Sequence, residues 1–335
     1  MSTHIPDPAD LRALSSAIDR VFAENADGPI SFEEPDTDTR RTLWATAHEL
    51  AWPLIGLPED QGGADGSLDE LTVLMEQVGR WLAPGPFLGT ALYASVLAAG
   101  PVAPMPTIDL VAPRGAGFGL IDWGRDRPID HKATTHPLFF APGDVEVGLL
   151  LAPDRVDLVI ADGAPWTDPS LLFDPTLEIG RVSSTAERRT VLCGAPAERV
   201  WVTSKLLVAA YLVGIAERTL RTAVEYAKTR EQFGRPIGSY QAVKHRCADM
   251  AIREMAARAA VELAVDHVGA DGEAFEPLAD AALSLAVEAA LVNAEACLET
   301  HGAMGFTWEF GGHRFLKRAH VLRAIVAAGA RGEHR

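Results

Sequence analysis

The sequence predicts a mainly helical fold with a small β-domain set between two helical units, and three observations carry that expectation. Helical apolar spacing runs through residues 8–100, fades over 101–200 where Pro and Gly become frequent, and returns in longer stretches after Arg199. Strand-like runs cluster in the middle and do not alternate with helices, so a doubly wound nucleotide-binding sheet is not supported. A chain of 335 residues with 48% hydrophobic and 23% charged residues has room for two or three units around sizeable cores. The expected units are 1–100, 101–198 and 199–335.

In the first unit, helical segments are expected around 8–24, 38–50, 67–82 and 88–99. Clusters such as Leu57-Pro58-Glu59-Asp60-Gln61-Gly62-Gly63 and Ala83-Pro84-Gly85-Pro86 separate them. Ser67, followed three residues later by Glu70 at the head of an apolar run, fits a capping box. In the middle unit, Leu110–Ala112, Gly148–Leu151, Val156–Ile160 and Thr190–Leu192 read as short strands bounded by turn residues. Gly115-Ala116-Gly117-Phe118-Gly119 follows one of them, but no periodic helix follows it, so it reads as a hairpin or loop and not a phosphate cradle. In the last unit, Leu206, Ala210, Val213, Leu220 and Val224 keep helical spacing, as do Val243, Cys247, Met250, Ala251 and Met255. The Ala-rich stretch 277–300 and the stretch 311–328 complete four long segments, the pattern of an antiparallel bundle.

A formal net charge of −16 argues against general nucleic-acid binding, and any anionic ligand needs a local group of cations. Cys193, Cys247 and Cys297 lie far apart and make neither a metal pattern nor a disulfide framework, which fits a reducing cytoplasm. Met1–Asp7 lacks a basic region followed by an apolar run, so no signal peptide is expected. The longest apolar run, Leu206–Ala216, is about half of the ~20 residues a membrane span needs, and it reads as a buried helix.

Two constellations bear on ligand binding. Arg230-Glu231-Gln232-Phe233-Gly234 leads through a Pro/Gly turn to Gln241 at the start of the next helix. Arg grips two phosphate oxygens with a fixed fork, Phe offers a flat face, and free N–H groups at a helix start favour an anion. The competing reading is a helix–turn–helix corner with a surface Arg and a core Phe. The second constellation is Glu299-Thr300-His301-Gly302-Ala303-Met304-Gly305-Phe306-Thr307-Trp308. Its glycines let a backbone approach a ligand; the competing reading is an ordinary helix end with Phe306 and Trp308 in the core. Glu217 and other helical carboxylates are candidate bases or solvated faces, and His301, His313 and His320 lack metal-ligand spacing.

Together these segments resemble the acyl-CoA dehydrogenase family over nearly the whole chain. Gly56–Gly63 with Leu71–Arg80 is similar to its helical domain, Tyr226–Gly234 to its most specific C-terminal signature, and His301–Trp308 with Leu316-Lys317-Arg318-Ala319 to its last motifs. The resemblance implies a helical domain, a middle β-domain and a four-helix bundle, with FAD held across a subunit interface. It implies that Arg230, Phe233, Gln241, Gly302 and Gly305, with Glu299 and Ala303 in the same loop, hold the ADP half of an FAD whose flavin lies in the neighbouring subunit. Glu299 stands where Gln is usual and Ala303 where Gly is common.

The family's catalytic base is a Glu, at one of two places. Here the first reads Val321–Gly329 without a carboxylate, and the second holds Ser204 with Lys205 beside it. The family's flavin-contacting segments are also not found in the middle unit. No catalytic residue is therefore assigned. The expected role is a subunit of a heteromeric, FAD-dependent dehydrogenase that desaturates an acyl-CoA, such as a steroid side-chain thioester. Its partner, a second subunit of the same family in an α2β2 assembly, supplies flavin contacts and Glu. The rivals are a self-sufficient homo-oligomer with Glu217 or His320 as a displaced base, and a scaffold that has lost FAD.

Overall fold

The computed structural model describes residues 6–25, 37–106, 116–120, 138–140, 147–160, 174, 179–181, 187–270 and 276–330. Four helices come first: α1 (Pro8–Asn25), α2 (Thr37–Glu49), α3 (Leu68–Trp81) and α4 (Phe87–Ala98). The capping box of α3 forms as expected. The Ser67 N–H donates to Glu70 Oε2 at 2.7 Å, and the Glu70 N–H donates to Ser67 Oγ at 3.3 Å. The helix ends in a left-handed Leu82, whose turn returns the Ala83 N–H to the Val78 carbonyl at 2.9 Å. α1 and α3 are joined by two rungs: Gln77 Nε2 donates to Ser15 Oγ at 3.0 Å, and Trp81 Nε1 to Asp19 Oδ1 at 2.9 Å.

The described part of the middle unit is a six-stranded sheet in the order β5-β2-β1-β3-β4-β6. Its strands are β1 (Gly117–Leu120), β2 (Leu138–Phe140), β3 (Val147–Ala152), β4 (Arg155–Ile160), β5 (Ile179–Arg181) and β6 (Glu187–Cys193). β1 pairs parallel with β3, Phe118 opposite Leu149, and the other pairings are antiparallel. Gly117–Gly119, expected in a hairpin or loop, is thus part of a central strand. Phe118 is 1% exposed, and the Ala116 N–H donates to Thr90 Oγ1 of α4 at 3.0 Å. Tertiary pairing overrides the weak strand propensity of its glycines. The expected strand at Leu110–Ala112 lies outside the described residues.

After β6 the chain turns at Gly194, whose φ of 62° suits only glycine, and enters α5 (Ala195–Thr229) with Pro196 in its first turn. A two-stranded hairpin, β7 (Glu231–Gln232) and β8 (Arg235–Pro236), leads to α6 (Gln241–Ala270). Then follow α7 (Glu276–His301), a 3-10 turn (Gly302–Phe306) and α8 (His313–Ala330). α5 has the length and apolarity of a membrane span, yet 94% of its apolar window is buried against this chain; the second such stretch, Glu276–Phe306, is 50% buried. One hydrophobic core runs from Phe22 and Leu74 through Leu149 to Leu212 and Ala290, so the sheet and both helical units share it.

α3 and α5 cross at the backbone. A Cβ on Gly79 would lie 1.9 Å from the Tyr211 carbonyl oxygen, and one on Gly214 would lie 2.0 Å from that of Glu76. Buried ion pairs fix the contacts around this crossing. Arg258 of α6 donates to Glu76 of α3 and, at 2.8 Å, to Glu254 Oε1. Burial pushes the Glu76 carboxyl up, and Arg258 opposes that push. On the other side, Arg318 Nε of α8 donates to Asp174 Oδ2 at 2.6 Å and its Nη1 to the Tyr211 hydroxyl. Arg318 is 3% and Asp174 0% exposed. Removing one member of such a pair strands a buried charge, which costs about 3–5 kcal/mol. Asp174→Ala is therefore expected to lower unfolding free energy in urea by that amount, whereas Asp154→Ala, in the β3–β4 turn, should change it little.

Candidate functional site

The structure brings the two ligand constellations to one end of the bundle. Tyr226, near the end of α5, stacks on His301 at 4.1 Å between ring centroids, and Arg246 near the start of α6 pairs with Glu299 of α7 at 3.1 Å. His301 packs on Phe310 on its other side at 4.0 Å, and its Nδ1 donates to the Cys297 carbonyl at 2.8 Å. Burial lowers its pKa, against that hydrogen bond, and its ring packs between Tyr226 and Phe310.

The hairpin forms at Phe233-Gly234. Both residues have positive φ, 54° and 77°, the pairing that a tight two-residue turn requires. For Phe this left-handed conformation is strained. Phe233 is also 92% exposed, so the competing reading of a core Phe fails: the ring stands out into solvent at the turn tip. Tyr240 supports it from below, with its hydroxyl donating to the Gln232 carbonyl at 3.1 Å and its ring edge-on to Phe233. Arg235 covers the Tyr240 ring at 4.2 Å. Arg230 is tied only through its backbone: its carbonyl accepts from the Ile237 N–H at 2.8 Å. Among the described residues no hydrogen bond or ion pair engages its exposed guanidinium.

Between the hairpin, the last turns of α5 and the first turns of α6 lies a groove of about 430 Å³, with Val224, Ala227, Pro236 and Val243 in its wall and Lys228 and Lys244 beside them. Gly238 lines it too, and a Cβ there would meet the Ala227 carbonyl oxygen at 2.8 Å. Gln241 is the first residue of α6, exposed, in the turn whose N–H groups lack helical acceptors. An apolar wall, the two cations Lys228 and Lys244 (the first also paired with Glu225 at 2.9 Å) and an open helix start suit a ligand with a flat ring and an anionic tail. The sequence reading missed Lys228, Lys244, Val224 and Val243. Their signal is the helical spacing that turns 224, 227 and 228 of one helix toward 243, 244 and 247 of the next.

The second loop is more structural than expected. Gly302 ends α7 with φ 63°, and a Cβ on Gly305 would lie 2.2 Å from the Leu298 carbonyl oxygen. Both glycines thus serve the helix end itself. Ala303 is exposed beside them. Phe306 and Trp308 are not core residues but 71% and 57% exposed.

Each candidate base is engaged elsewhere. Ser204 Oγ donates to the Trp201 carbonyl at 2.7 Å. Lys205 Nζ, 8% exposed as a residue, donates to Glu276 Oε1 at 2.7 Å and to Asp280, and Trp201 Nε1 donates to the same Glu276 oxygen. Burial raises the Glu276 pKa, but these hydrogen bonds outweigh it and hold the carboxyl below its usual range. Glu217 lies 3.0 Å from Arg80 Nε at the α3–α5 junction. His320 is lowered by burial and by Arg323, with Glu295 opposing.

The family model for the acyl-CoA dehydrogenase C-terminal domain matches residues 202–330, the bundle that carries both loops. Over 326 residues the chain is 32% identical to acyl-CoA dehydrogenase IpdE2 of Mycobacterium tuberculosis, covering 93% of this chain and 92% of that protein. This chain belongs to the acyl-CoA dehydrogenase family. It is 35% identical over 312 residues to acyl-CoA dehydrogenase FadE34 of the same organism, which covers 90% of this chain but only 42% of that protein. The chain therefore spans less than half the length of that relative. Among solved structures, the Tcur3481-Tcur3483 steroid ACAD G363A variant superposes with a TM-score of 0.74 at 22% identity, over 97% of this chain and 96% of that one. The ChsE4-ChsE5 complex from Mycobacterium tuberculosis gives 0.72 at 22% identity, over 98% and 95%. At that identity these two establish the fold of this family member, with its helical unit, sheet and bundle.

Proposed function

We propose that this family member is one subunit of a heteromeric, FAD-dependent acyl-CoA dehydrogenase, and that it holds the ADP half of an FAD whose flavin lies against a second subunit of the same family. The observation that carries the reading is the outward hairpin: Phe233 is strained and 92% exposed, three residues from an Arg230 whose guanidinium no described residue engages, and Pro236 of the same hairpin lines an apolar groove. A strained, solvent-facing aromatic ring serves no purpose in packing this chain, and strain of this kind persists where function uses it. Arg230 grips the pyrophosphate, Phe233 covers the adenosine, Gln241 and the α6 start donate to it, and Lys228 and Lys244 add positive field. FAD, when bound, accepts the β-hydride as the α,β-bond of the acyl thioester becomes unsaturated. The α-proton goes to a partner Glu, since this chain has no carboxylate in Val321–Gly329 and spends Ser204 and Lys205 on internal bonds. The assembly we expect is a cytoplasmic α2β2 heterotetramer.

Two further points support a partner. FadE34 keeps more than half its length outside the match, enough for a second unit of this size. Both structural neighbours carry paired names, and one is described as a steroid ACAD, which makes a steroid side-chain CoA thioester the first substrate to try. A scaffold that had lost FAD would have no use for Arg230, Phe233 and Gln241 together.

Expressed alone, the chain should purify nearly colourless; co-expressed with its partner it should carry about one FAD per heterodimer. In that complex Arg230→Ala should weaken FAD retention by roughly 10- to 150-fold, the equivalent of one charged hydrogen bond of ~1.5–3 kcal/mol. Arg230→Lys should restore only part, because the fork geometry is lost. Equilibrium dialysis of the flavin measures both. A stoichiometric yellow homodimer of this chain alone, or unchanged retention in Arg230→Ala, refutes the assignment.

A further inference from the structure

A second cationic centre lies at the junction of α1, α3 and α5. Arg218 on α5 is 6% exposed, and its guanidinium stacks over the Trp81 ring at 4.7 Å. Trp81 is itself pinned by its hydrogen bond to Asp19. Two carboxylates at the junction face Arg80 as well as Arg218: Asp19 accepts from Trp81 and lies 3.5 Å from Arg80, and Glu217 lies 3.0 Å from Arg80, with its Oε2, like Arg218 Nε, lacking a hydrogen-bond partner. Arg218 Nε is buried without a hydrogen-bond acceptor, and among the described residues no ion pair engages this guanidinium. Arg221, three residues along the same helix face, is exposed and close enough to repel it. Three guanidinium groups thus share two carboxylates, a local excess of positive charge in a chain of net charge −16. Burial, reinforced by Arg80, drags the Arg218 pKa down to about 10.

We propose that Arg218, with Arg221, forms a site for a phosphate-type oxyanion at this junction. A buried Nε–H is left unmade only at a cost, and an oxyanion supplies the acceptor that it lacks. Trp81 covers the guanidinium on one side, 4.7 Å from its ring centroid. Two adjacent guanidinium groups without an ion pair of their own among the described residues favour a dianionic phosphate over a single carboxylate. The site is distinct from the hairpin groove and does not depend on FAD.

The test measures thermal unfolding of the full chain, with whatever partner it purifies with, in inorganic phosphate or in 3′,5′-ADP against chloride at matched ionic strength. A saturable rise in Tm is expected for the wild type. A rise with inorganic phosphate identifies a free ion, and a rise with 3′,5′-ADP alone identifies a nucleotide-borne phosphate; either supports the site. Arg218→Gln should weaken that affinity about tenfold or more. If this variant fails to fold, the exposed Arg221→Gln carries the test, with an expected loss of about threefold. No rise over chloride, or equal rises in wild type and variants, overturns the proposal.

Discussion

Gly214→Ala is expected to be the most damaging single methyl group that can be added to this protein. In most helices the change stabilises, because Ala is a better helix former by about 1 kcal/mol. Here the new Cβ would sit 2.0 Å from the Glu76 carbonyl oxygen, and the obstacle is the backbone of α3, which has no rotamer to move. The two helices must separate. Gly79, whose own Cβ position lies 1.9 Å from the Tyr211 carbonyl oxygen, makes the contact reciprocal. Separation also pulls at Glu76–Arg258 and at Tyr211–Arg318, since Glu76 and Tyr211 lie at the crossing itself. Overpacking costs typically 1–3 kcal/mol where side chains absorb it. Against a fixed backbone with a buried ion pair and a buried charged hydrogen bond attached, we expect at least about 3 kcal/mol, a large part of a total near 5–15 kcal/mol. Gly302→Ala is the control. Its φ is 63° with nothing within 4 Å of the new Cβ, so only the left-handed penalty of about 1 kcal/mol applies. Urea titration of both variants decides the matter. If Gly214→Ala is no less stable than Gly302→Ala, the close crossing is wrong.

The same glycines mark where sequence reading stops. Helical spacing gave the four helices of the first unit to within about two residues, and Ser67 with Glu70 gave the start of α3, because these signals are local. A mid-helix glycine, read locally, is only a weak point. That Gly79 and Gly214 meet is a property of two helices more than a hundred residues apart. Gly117–Gly119 misled for the same reason: its strand character comes from β3 and β2 on either side, not from its own residues. The hairpin was legible as chemistry but not as shape. Arg, Phe and Gln pointed to an anionic, flat ligand, while a Phe at φ 54° and 92% exposure could only be found in three dimensions. Lys205 shows the converse. Its position beside a family base site drew attention, and the structure assigns it to a clamp between α5 and α7 through Glu276 and Asp280.

That clamp bears on the second large effect, the location of the catalytic base. In complexes with the partner subunit, Glu217→Gln and His320→Gln in this chain should leave acyl-CoA dehydrogenation within about twofold of wild type, while removing the partner's Glu should cost ~10²–10⁴-fold, the usual range for a general base. The physical ground is the state of each group here. Glu217 lies 3.0 Å from Arg80 Nε at the α3–α5 junction, in an ion pair. His320 shares its surroundings with Arg323, whose charge disfavours an imidazolium, the species a working base must form. Ser204 is bonded to its own helix, and Lys205 donates to two carboxylates. Neither accepts a proton from an acidic α-carbon. The measurement is steady-state dehydrogenation with flavin content and assembly checked for every variant, so that loss of FAD is not mistaken for loss of the base. A 10²-fold loss from Glu217→Gln or His320→Gln at normal flavin content would place the base in this chain and make it a self-sufficient enzyme. The same loss seen only with the partner's Glu would leave this chain the task its hairpin suggests, gripping a cofactor whose reactive ring belongs to its neighbour.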